Sequence, residues 1–342
     1  MRARWRRLGG HRWRACVAAF AFPLVGSAEM QSALDPAGPQ AARINDLWWL
    51  MCAICTAVFV AVIGALLYAV LRSRPSDAEV AGPATERRMT GVVAGATAIT
   101  VVILFALLVV SVFAGRGLSA PSAPDPVTLE VIGHQWWWEV HYADPVPSQR
   151  VVTANEMHIP VGRPVMLKLT SQDVIHSFWA PNLHGKRDLI PGHTTTLSFQ
   201  VDKPGIFRGQ CAEFCGYQHA HMAFLIVAEP PDQYTAWLDE QHRPAAPPAD
   251  TAQQKGQEVF LSSSCVLCHT IRGTPAGGKV APDLTHLASR RTIAAGTLPN
   301  TPGHLAGWII DPQNIKPGNK MPPNTLDPED LQALLAYLES LQ

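Results

Sequence analysis

The sequence predicts a multidomain membrane protein, with a two-helix membrane hairpin, then a small β-sandwich or barrel, then a helical domain. Three observations predict this order. Two long uncharged runs lie near the N-terminus, apolar and polar residues alternate in the middle, and a leucine stripe at helical spacing closes the chain. Charged residues are 16% of 342, below the roughly 25% of an average soluble protein, which agrees with segments in lipid.

Charge and cysteine content exclude two classes of protein. The 27 Lys and Arg residues balance the 27 Asp and Glu residues, so the chain lacks the positive field that nucleic-acid binding needs. The 7 cysteines fall in four unrelated contexts, which disfavours a disulfide framework. We therefore expect membrane lipid as a partner and no nucleic acid.

Residues 1–28 have the order of a secretory signal peptide. A basic region rich in arginine precedes a short apolar run, and the small residues Gly26, Ser27 and Ala28 follow. An uncleaved membrane anchor is the alternative interpretation of the same residues.

Two transmembrane helices are predicted at about 47–71 and 89–115, within an N-terminal segment that spans 29–116. Each run lacks charged side chains and exceeds the roughly 20 residues that cross a bilayer. The connecting loop carries Arg72, Arg74, Arg87 and Arg88. By the positive-inside rule the loop is cytoplasmic, so everything after residue 116 faces outward.

Residues 117–238 alternate apolar and polar positions between Pro, Gly and Asp breakers. This period of two predicts antiparallel strands in a sandwich or barrel. Residues 239–250 are rich in Pro and Ala and predict a semi-rigid linker. Residues 251–342 begin and end with helical patterns. The closing helix has Asp327 as N-cap, Pro328 in its first turn, and an apolar stripe that consists of Leu331, Leu334, Leu335 and Leu338.

The most specific local motif is Cys265-Val-Leu-Cys268-His269. In this CxxCH pattern two thiols form thioethers with a c-type haem and the histidine ligates the iron. A chance match or a redox dithiol is the alternative. We predict Met321 as the second axial ligand, because the prolines after it favour an extended loop that can reach over the haem. Its rivals are His286 and His304.

A second cluster of soft ligands runs from Cys211 through Cys215 and His219 to Met222. Two thiolates, an imidazole and a thioether within twelve residues favour copper over zinc or an iron–sulfur cluster. A Cys211–Cys215 disulfide is the alternative. His176 lies between two predicted strands and is a candidate for another imidazole ligand, although a single histidine beside a strand is more often structural.

At these residues the chain resembles a known family. The strings DVIHSFWAPN and GQCAEFCGYQHAHM resemble the dinuclear copper centre, CuA, of cytochrome c oxidase subunit II, and GHQWWWEVHY is similar to its aromatic strand. With a C-terminal haem motif, the chain from about residue 30 resembles subunit II of bacterial caa-type oxidases. The resemblance implies a cupredoxin-like Greek-key β-barrel and an all-α cytochrome c domain.

The resemblance also implies roles for individual residues. The CuA ligands would be His176, Cys211, the Glu213 carbonyl, Cys215, His219 and Met222. The Glu213 carboxylate would face a magnesium ion shared with subunit I. Trp136 would lie near the point of electron entry, with packing in the core as the alternative.

The expected function is that of the electron-accepting subunit of a haem-copper terminal oxidase. Electrons would pass from cytochrome c through the chain's own haem c and CuA to subunit I, which reduces oxygen with proton translocation. Subunit III would complete the complex, in the inner membrane of a bacterial cell with the metal domains on the periplasmic side. A CuA-type nitric oxide reductase and a stand-alone membrane-tethered electron carrier are the alternatives.

Overall fold

Two long helices open the computed structural model, which describes residues 30–72, 82–118, 125–144, 146 and 150–342. The predicted signal peptide, residues 1–28, lies outside the described residues. Helices α1 (Pro39–Arg72) and α2 (Pro83–Leu118) extend beyond the predicted runs at both ends. Both are long and apolar enough to cross a membrane, and their most apolar windows are 0% buried by protein. Lipid is the medium that such uncovered apolar faces require.

The residues before α1 pack on the β domain. The Ala37 amide donates to the Asn182 carbonyl over 2.8 Å, and the Asp202 amide donates to the Ala37 carbonyl over 2.8 Å. Ala37 is also part of the apolar core of the β domain. The membrane hairpin is therefore joined to the β domain by packing and hydrogen bonds as well as by the chain.

The β domain has two five-stranded sheets, with strand orders β3-β2-β1-β5-β8 and β4-β10-β9-β6-β7. Its strands are β1 (Val127–His134), β2 (Trp137–Tyr142), β3 (Val151–Ala154), β4 (Glu156–Pro160), β5 (Val165–Ser171), β6 (His176–Trp179), β7 (Arg187–Leu189), β8 (Thr195–Phe199), β9 (Gly205–Cys211) and β10 (Ala223–Glu229). A 3₁₀ turn (His219–His221) precedes β10, and α3 (Pro231–His242) follows it. The predicted sandwich is confirmed.

The prediction of antiparallel strands is wrong for two pairs. Strands β1 and β5 are parallel, and so are β4 and β10. Strand β4 lies in the second sheet, so the chain returns to the first sheet at β5 beside β1. The alternation of apolar residues reports only which face is buried and carries no information on strand direction.

Aromatic side chains fill the space between the two sheets. Trp138 packs edge-on against Phe178 and Phe224, with ring centroids 6.0 Å and 5.2 Å away. The two phenylalanine rings stack at 4.3 Å. Cys211 and Cys215 belong to the same apolar core, so the two sulfur-bearing residues are set in the most rigid part of the domain.

The C-terminal region is helical apart from one short hairpin. Its elements are α4 (Thr251–Ser262), α5 (Cys265–Cys268), β11 (Thr292–Ile293), β12 (Leu298–Pro299), α6 (Pro302–Ile310), α7 (Pro312–Ile315) and α8 (Pro328–Glu339). The predicted first and last helices are confirmed. Helix α8 begins after Asp327 and buries Leu334, Leu335 and Leu338. Helix α4 crosses it at Gly256, where any Cβ would overlap the Ala333 carbonyl.

Two separate apolar clusters divide the soluble part of the chain, one in the β domain and one among the C-terminal helices. Helix α3 continues to His242, inside the segment predicted as a linker. The limits at 117–238, 239–250 and 251–342 stay predictions.

Candidate metal centres

The first candidate centre lies where β9 ends and its loop returns to β10. Cys211 is the last residue of β9, and its amide donates to the Met222 carbonyl over 2.9 Å, which closes the loop. Gly216 has a φ of +112° and lies against the Trp136 ring, where a Cβ would be 3.1 Å away. Only glycine fits this turn, and the turn folds Cys215 back towards Cys211.

Two sulfur atoms and two imidazole rings converge in this loop. Cys211 Sγ is 3.8 Å from Nδ1 of His176, and Cys215 Sγ is 3.6 Å from Nδ1 of His219. The ligand atoms of His176, Cys211 and Cys215 all lie within 4.8 Å of one another. Both cysteines are free thiols. The structure therefore contradicts the alternative of a disulfide between them.

Two further donors complete the cluster. Met222 is fully buried, with its sulfur 3.8 Å from Cys215 Sγ. The Glu213 carbonyl accepts from the Cys211 thiol over 3.1 Å, whereas the Glu213 carboxylate points away to Lys186, 3.5 Å distant. His221 is exposed and bonds Gln218 instead of the sulfur atoms.

Asp173 orients His176, and reasoning from the sequence assigned it no role in the site. Its Oδ1 accepts from Nε2 of His176 over 2.8 Å, which leaves the Nδ1 lone pair directed at Cys211. Burial alone would raise the pKa of Asp173, but hydrogen bonds from His176, Gln135 and Val174 outweigh it and lower the pKa to about 2. The ionised carboxylate fixes the tautomer of the ring. The only sequence signal was a carboxylate three residues before the histidine.

The two thiols polarise each other. The bond with Cys215 lowers the pKa of Cys211 well below its usual range, and the same bond raises the pKa of Cys215. Two thiols, two imidazoles, a thioether and a carbonyl form a donor set that fits copper.

The second candidate centre is the CxxCH segment in α5. His269 follows this single helical turn, and its Nδ1–H donates to the Pro282 carbonyl over 2.7 Å. A carbonyl can only accept, so Nδ1 carries the proton and Nε2 keeps its lone pair. Burial lowers the pKa of His269, which favours the neutral ring. The residue thus has the form that an iron ligand requires.

A largely apolar cavity lies beside this motif. Cys265, Cys268, His269 and Met321 all line it. The Met321 loop is held in place by Gln313, whose Nε2 donates to the Met321 carbonyl over 2.8 Å. A haem fits a cavity of this chemistry, in which two thiols and a neutral imidazole share one space with a thioether.

The rival histidines do not line this cavity. His286 is 4% exposed, and its two ring nitrogens bond the Gln342 and Arg243 carbonyls. His304 is exposed and bonds Thr301 over 2.8 Å. Of the three residues considered for the second axial position, only Met321 faces the cavity.

Trp136 connects the two candidate centres. It lies in the turn before β2 and is one of the residues that line the cavity of the CxxCH motif. Its indole Nε1 donates to the Cys215 carbonyl over 2.8 Å, and the residue is 7% exposed. Trp138 packs in the core, and Trp137 stacks on His134 at 4.3 Å.

Lys316 also lies between the two centres and had no signal in the sequence. It is 3% exposed, and its Nζ donates to the Trp136 carbonyl over 2.6 Å and to the Ala294 carbonyl over 3.2 Å. Burial lowers its pKa to about 7. Lys316 is therefore an internal group of the fold, although nothing in the surrounding sequence predicts its burial.

Known proteins resemble the chain over both of its soluble regions. The family described as cytochrome C oxidase subunit II, periplasmic domain, matches residues 145–229, and the cytochrome c family matches residues 253–342. The periplasmic domain of subunit II of cytochrome oxidase of Bradyrhizobium japonicum is 30% identical, with 35% of this chain and 94% of that chain covered and a TM-score of 0.32.

Two relatives cover larger parts of the chain. Cytochrome c oxidase subunit 2 of Bacillus sp. (strain PS3) is 33% identical over 227 residues, 63% of this chain and 62% of the relative. Cytochrome c oxidase subunit 2 of Alkalihalophilus pseudofirmus is 37% identical over 324 residues, 92% of each chain. The chain therefore belongs to the cytochrome c oxidase subunit II family, as a member with a cytochrome c domain fused at its C-terminus.

Proposed function

We propose that the chain is the electron-accepting subunit of a haem-copper terminal oxidase. It passes electrons from a c-type cytochrome through its own haem c and a dinuclear copper centre to subunit I, which reduces oxygen to water with proton translocation. One observation carries this proposal above the others. Trp136 lines the cavity of the haem motif and also donates to the main chain of Cys215 in the copper loop.

The converging donors of the β domain support a dinuclear copper centre. The residues that hold it are His176, Cys211, the Glu213 carbonyl, Cys215, His219 and Met222. When bound, the copper pair and the haem iron each supply a one-electron redox centre. The sheets hold the donors in place before and after electron transfer, so that few atoms move with each change of charge.

The cavity of the C-terminal domain supports a covalent haem c. Cys265 and Cys268 would attach the haem covalently, and His269 and Met321 would hold its iron. The free Nε2 of His269 and the position of Met321 on the same cavity favour this ligand pair. Methionine in the axial position raises the potential relative to a second histidine, which suits an acceptor of electrons from cytochrome c.

The carbonyl and the carboxylate of Glu213 have different proposed roles. Its carbonyl belongs to the copper loop, while its carboxylate is partly exposed, with a side-chain exposure of 44%. We assign the carboxylate to a magnesium ion shared with subunit I. Lys186 is its partner in the isolated chain, so magnesium binding exchanges one cation for another.

The partners and location follow from the hairpin and the family. Subunits I and III pack against α1 and α2, whose apolar faces are open. The arginine-rich loop is cytoplasmic, and both metal domains lie on the periplasmic side of a bacterial inner membrane. A soluble or membrane-bound cytochrome c is the donor.

The proposal is tested by purifying the tagged chain with its membrane partners in mild detergent. We expect an a-type band beside the c-type band in the reduced-minus-oxidised spectrum, copper in the preparation, and oxygen uptake with reduced cytochrome c. A b-type band with nitric oxide turnover and no oxygen uptake would favour the nitric oxide reductase alternative. A c-type band alone, with no partner subunit, would favour the tethered carrier.

A further inference from the structure

The copper and haem domains meet along a continuous set of hydrogen bonds, called here the interdomain seam. The Ala223 amide of the β domain donates to the Ala295 carbonyl over 2.9 Å. Gln218 Nε2 donates to the Pro317 carbonyl over 2.8 Å. Main-chain groups supply most of these bonds, so the seam depends on how closely the two backbones approach.

The cytochrome side of the seam has an unusual backbone. Ala294 and Ala295 have φ values of +53° and +58°, a region that non-glycine residues rarely occupy. In this conformation the Ala294 carbonyl accepts from Lys316 and the Ala295 carbonyl accepts from Ala223. Contacts must hold such a backbone in place, and here they come from both domains.

Lys316 is a buried charged group of the seam, as is Glu156, whose Oε2 accepts from the Arg291 amide of the cytochrome domain over 3.0 Å. The Lys316 ammonium donates to one carbonyl of each domain, Trp136 in the β domain and Ala294 in the cytochrome domain. None of the ion pairs among the described residues includes it. A buried ammonium without its hydrogen-bond acceptors is strongly unfavourable. Separation of the domains would remove the Trp136 acceptor, so the Lys316 side chain links the two domains directly by its hydrogen bonds.

Trp136 is fixed by bonds at both ends. The Lys316 ammonium donates to the Trp136 carbonyl, and the Trp136 indole Nε1 donates to the Cys215 carbonyl. Trp136 is also one of the residues that line the haem cavity. A shift of the cytochrome domain would therefore move the cavity relative to the ring and to the copper loop.

We infer that Lys316 is a positioning residue that locks the cytochrome domain on the copper domain and so sets the geometry of electron transfer between them. The inference rests on the proposed function. It assigns to one buried side chain a part in aligning two domains that are also joined by a chain segment and by bonds of Ala223, Gln218 and Glu156.

The test uses the full-length protein in its oxidase complex with the variant Lys316→Met. We expect haem-to-copper electron transfer, followed after rapid photoreduction of the haem, to slow by roughly tenfold or more, since small displacements of reacting groups cost large factors. The midpoint potentials of the haem and of the copper centre are measured as well. The decrease in the transfer rate should be larger than the change in the difference between these two potentials accounts for. Hydrogen exchange of the Ala223 amide, which needs neither metal, should become faster.

Lys255→Met is the matched control, because it removes the same charge from the same domain at an exposed ion pair with Asp330. It should leave both readouts unchanged. If Lys316→Met does not accumulate, Lys316→Gln keeps an amide donor on a shorter side chain and should slow transfer and speed exchange to a smaller degree.

Unchanged Ala223 exchange and unchanged transfer in a folded Lys316 variant would overturn the inference. A wild-type protein without copper or c-type haem would overturn the proposed function instead. In that case the exchange comparison still decides whether Lys316 locks the two domains.

Discussion

The proposed copper site and the proposed haem site are built in opposite ways. Five of the six copper donors lie between Cys211 and Met222, and His176 comes from β6; each donor is 3.1–3.8 Å from another donor, with His176 and Met222 at 0% exposure. The haem motif is contiguous in sequence, whereas Met321 reaches the same cavity from a distant loop. The copper site thus depends on the tertiary fold, and the haem site depends on a short motif that the cofactor completes.

The largest effect is expected for Cys211→Ser. The variant loses one sulfur donor from a closely packed set, so the proposed copper centre and its spectrum should be lost while covalent haem remains. Copper and haem are quantified on the purified protein. Cys55→Ser, in α1, is the control and should keep both centres. Full copper stoichiometry in Cys211→Ser would contradict the ligand assignment.

The second prediction concerns Met321→Ala. The haem should stay attached through Cys265 and Cys268, but its iron should bind an added ligand such as cyanide or imidazole, and its midpoint potential should fall. Spectral titration and potentiometry measure the two effects. His304→Ala should change neither, because His304 is exposed and bonds Thr301. An unaltered spectrum and potential in Met321→Ala would refute Met321 as the ligand.

A smaller effect is expected for Asp173→Asn. The amide keeps the shape of the side chain but no longer accepts as a carboxylate from Nε2 of His176. Loss of such a partner typically weakens metal affinity by roughly 10–100-fold, which competition with a copper chelator measures. Asp188→Asn, on β7, is the control. Equal copper affinity in the two variants would show that Asp173 does not orient the ligand.

The smallest effect concerns a group remote from both centres. Burial alone would lower the pKa of His158, but the hydrogen bonds that its ring donates to Glu156 and Glu229 outweigh it and raise the pKa above 6.5. The charged ring therefore contributes stability that is fully present below 6.5 and is lost as pH rises through the higher folded-state pKa.

The measurement compares the free energy of unfolding of wild type and His158→Gln. The variant should be less stable by about 1 kcal/mol near pH 6, and the difference should shrink towards about pH 9. His193→Gln, an exposed histidine, should show no such trend. A difference in the free energy of unfolding that grows with pH would contradict a raised pKa of His158.

Local patterns in the sequence predicted more of the fold than of the site. Apolar runs predicted α1 and α2, and leucine spacing predicted α8. The length of an apolar run indicates burial in lipid, and the spacing of apolar residues indicates one buried helix face, so both can be recognised within a single segment. The predicted antiparallel direction was wrong for the pairs β1 with β5 and β4 with β10, since strand pairing depends on segments that are far apart in the chain.

The sequence by itself determined the hairpin, the sandwich, the helical domain, the CxxCH motif and the presence of soft ligands in one loop, because each is a property of adjacent residues. Only the tertiary structure decided that Asp173 orients His176, that Trp136 contacts both centres, and that Lys316 is buried between them. These contacts join residues from different elements, and their energies depend on burial and distance, which sequence spacing does not encode.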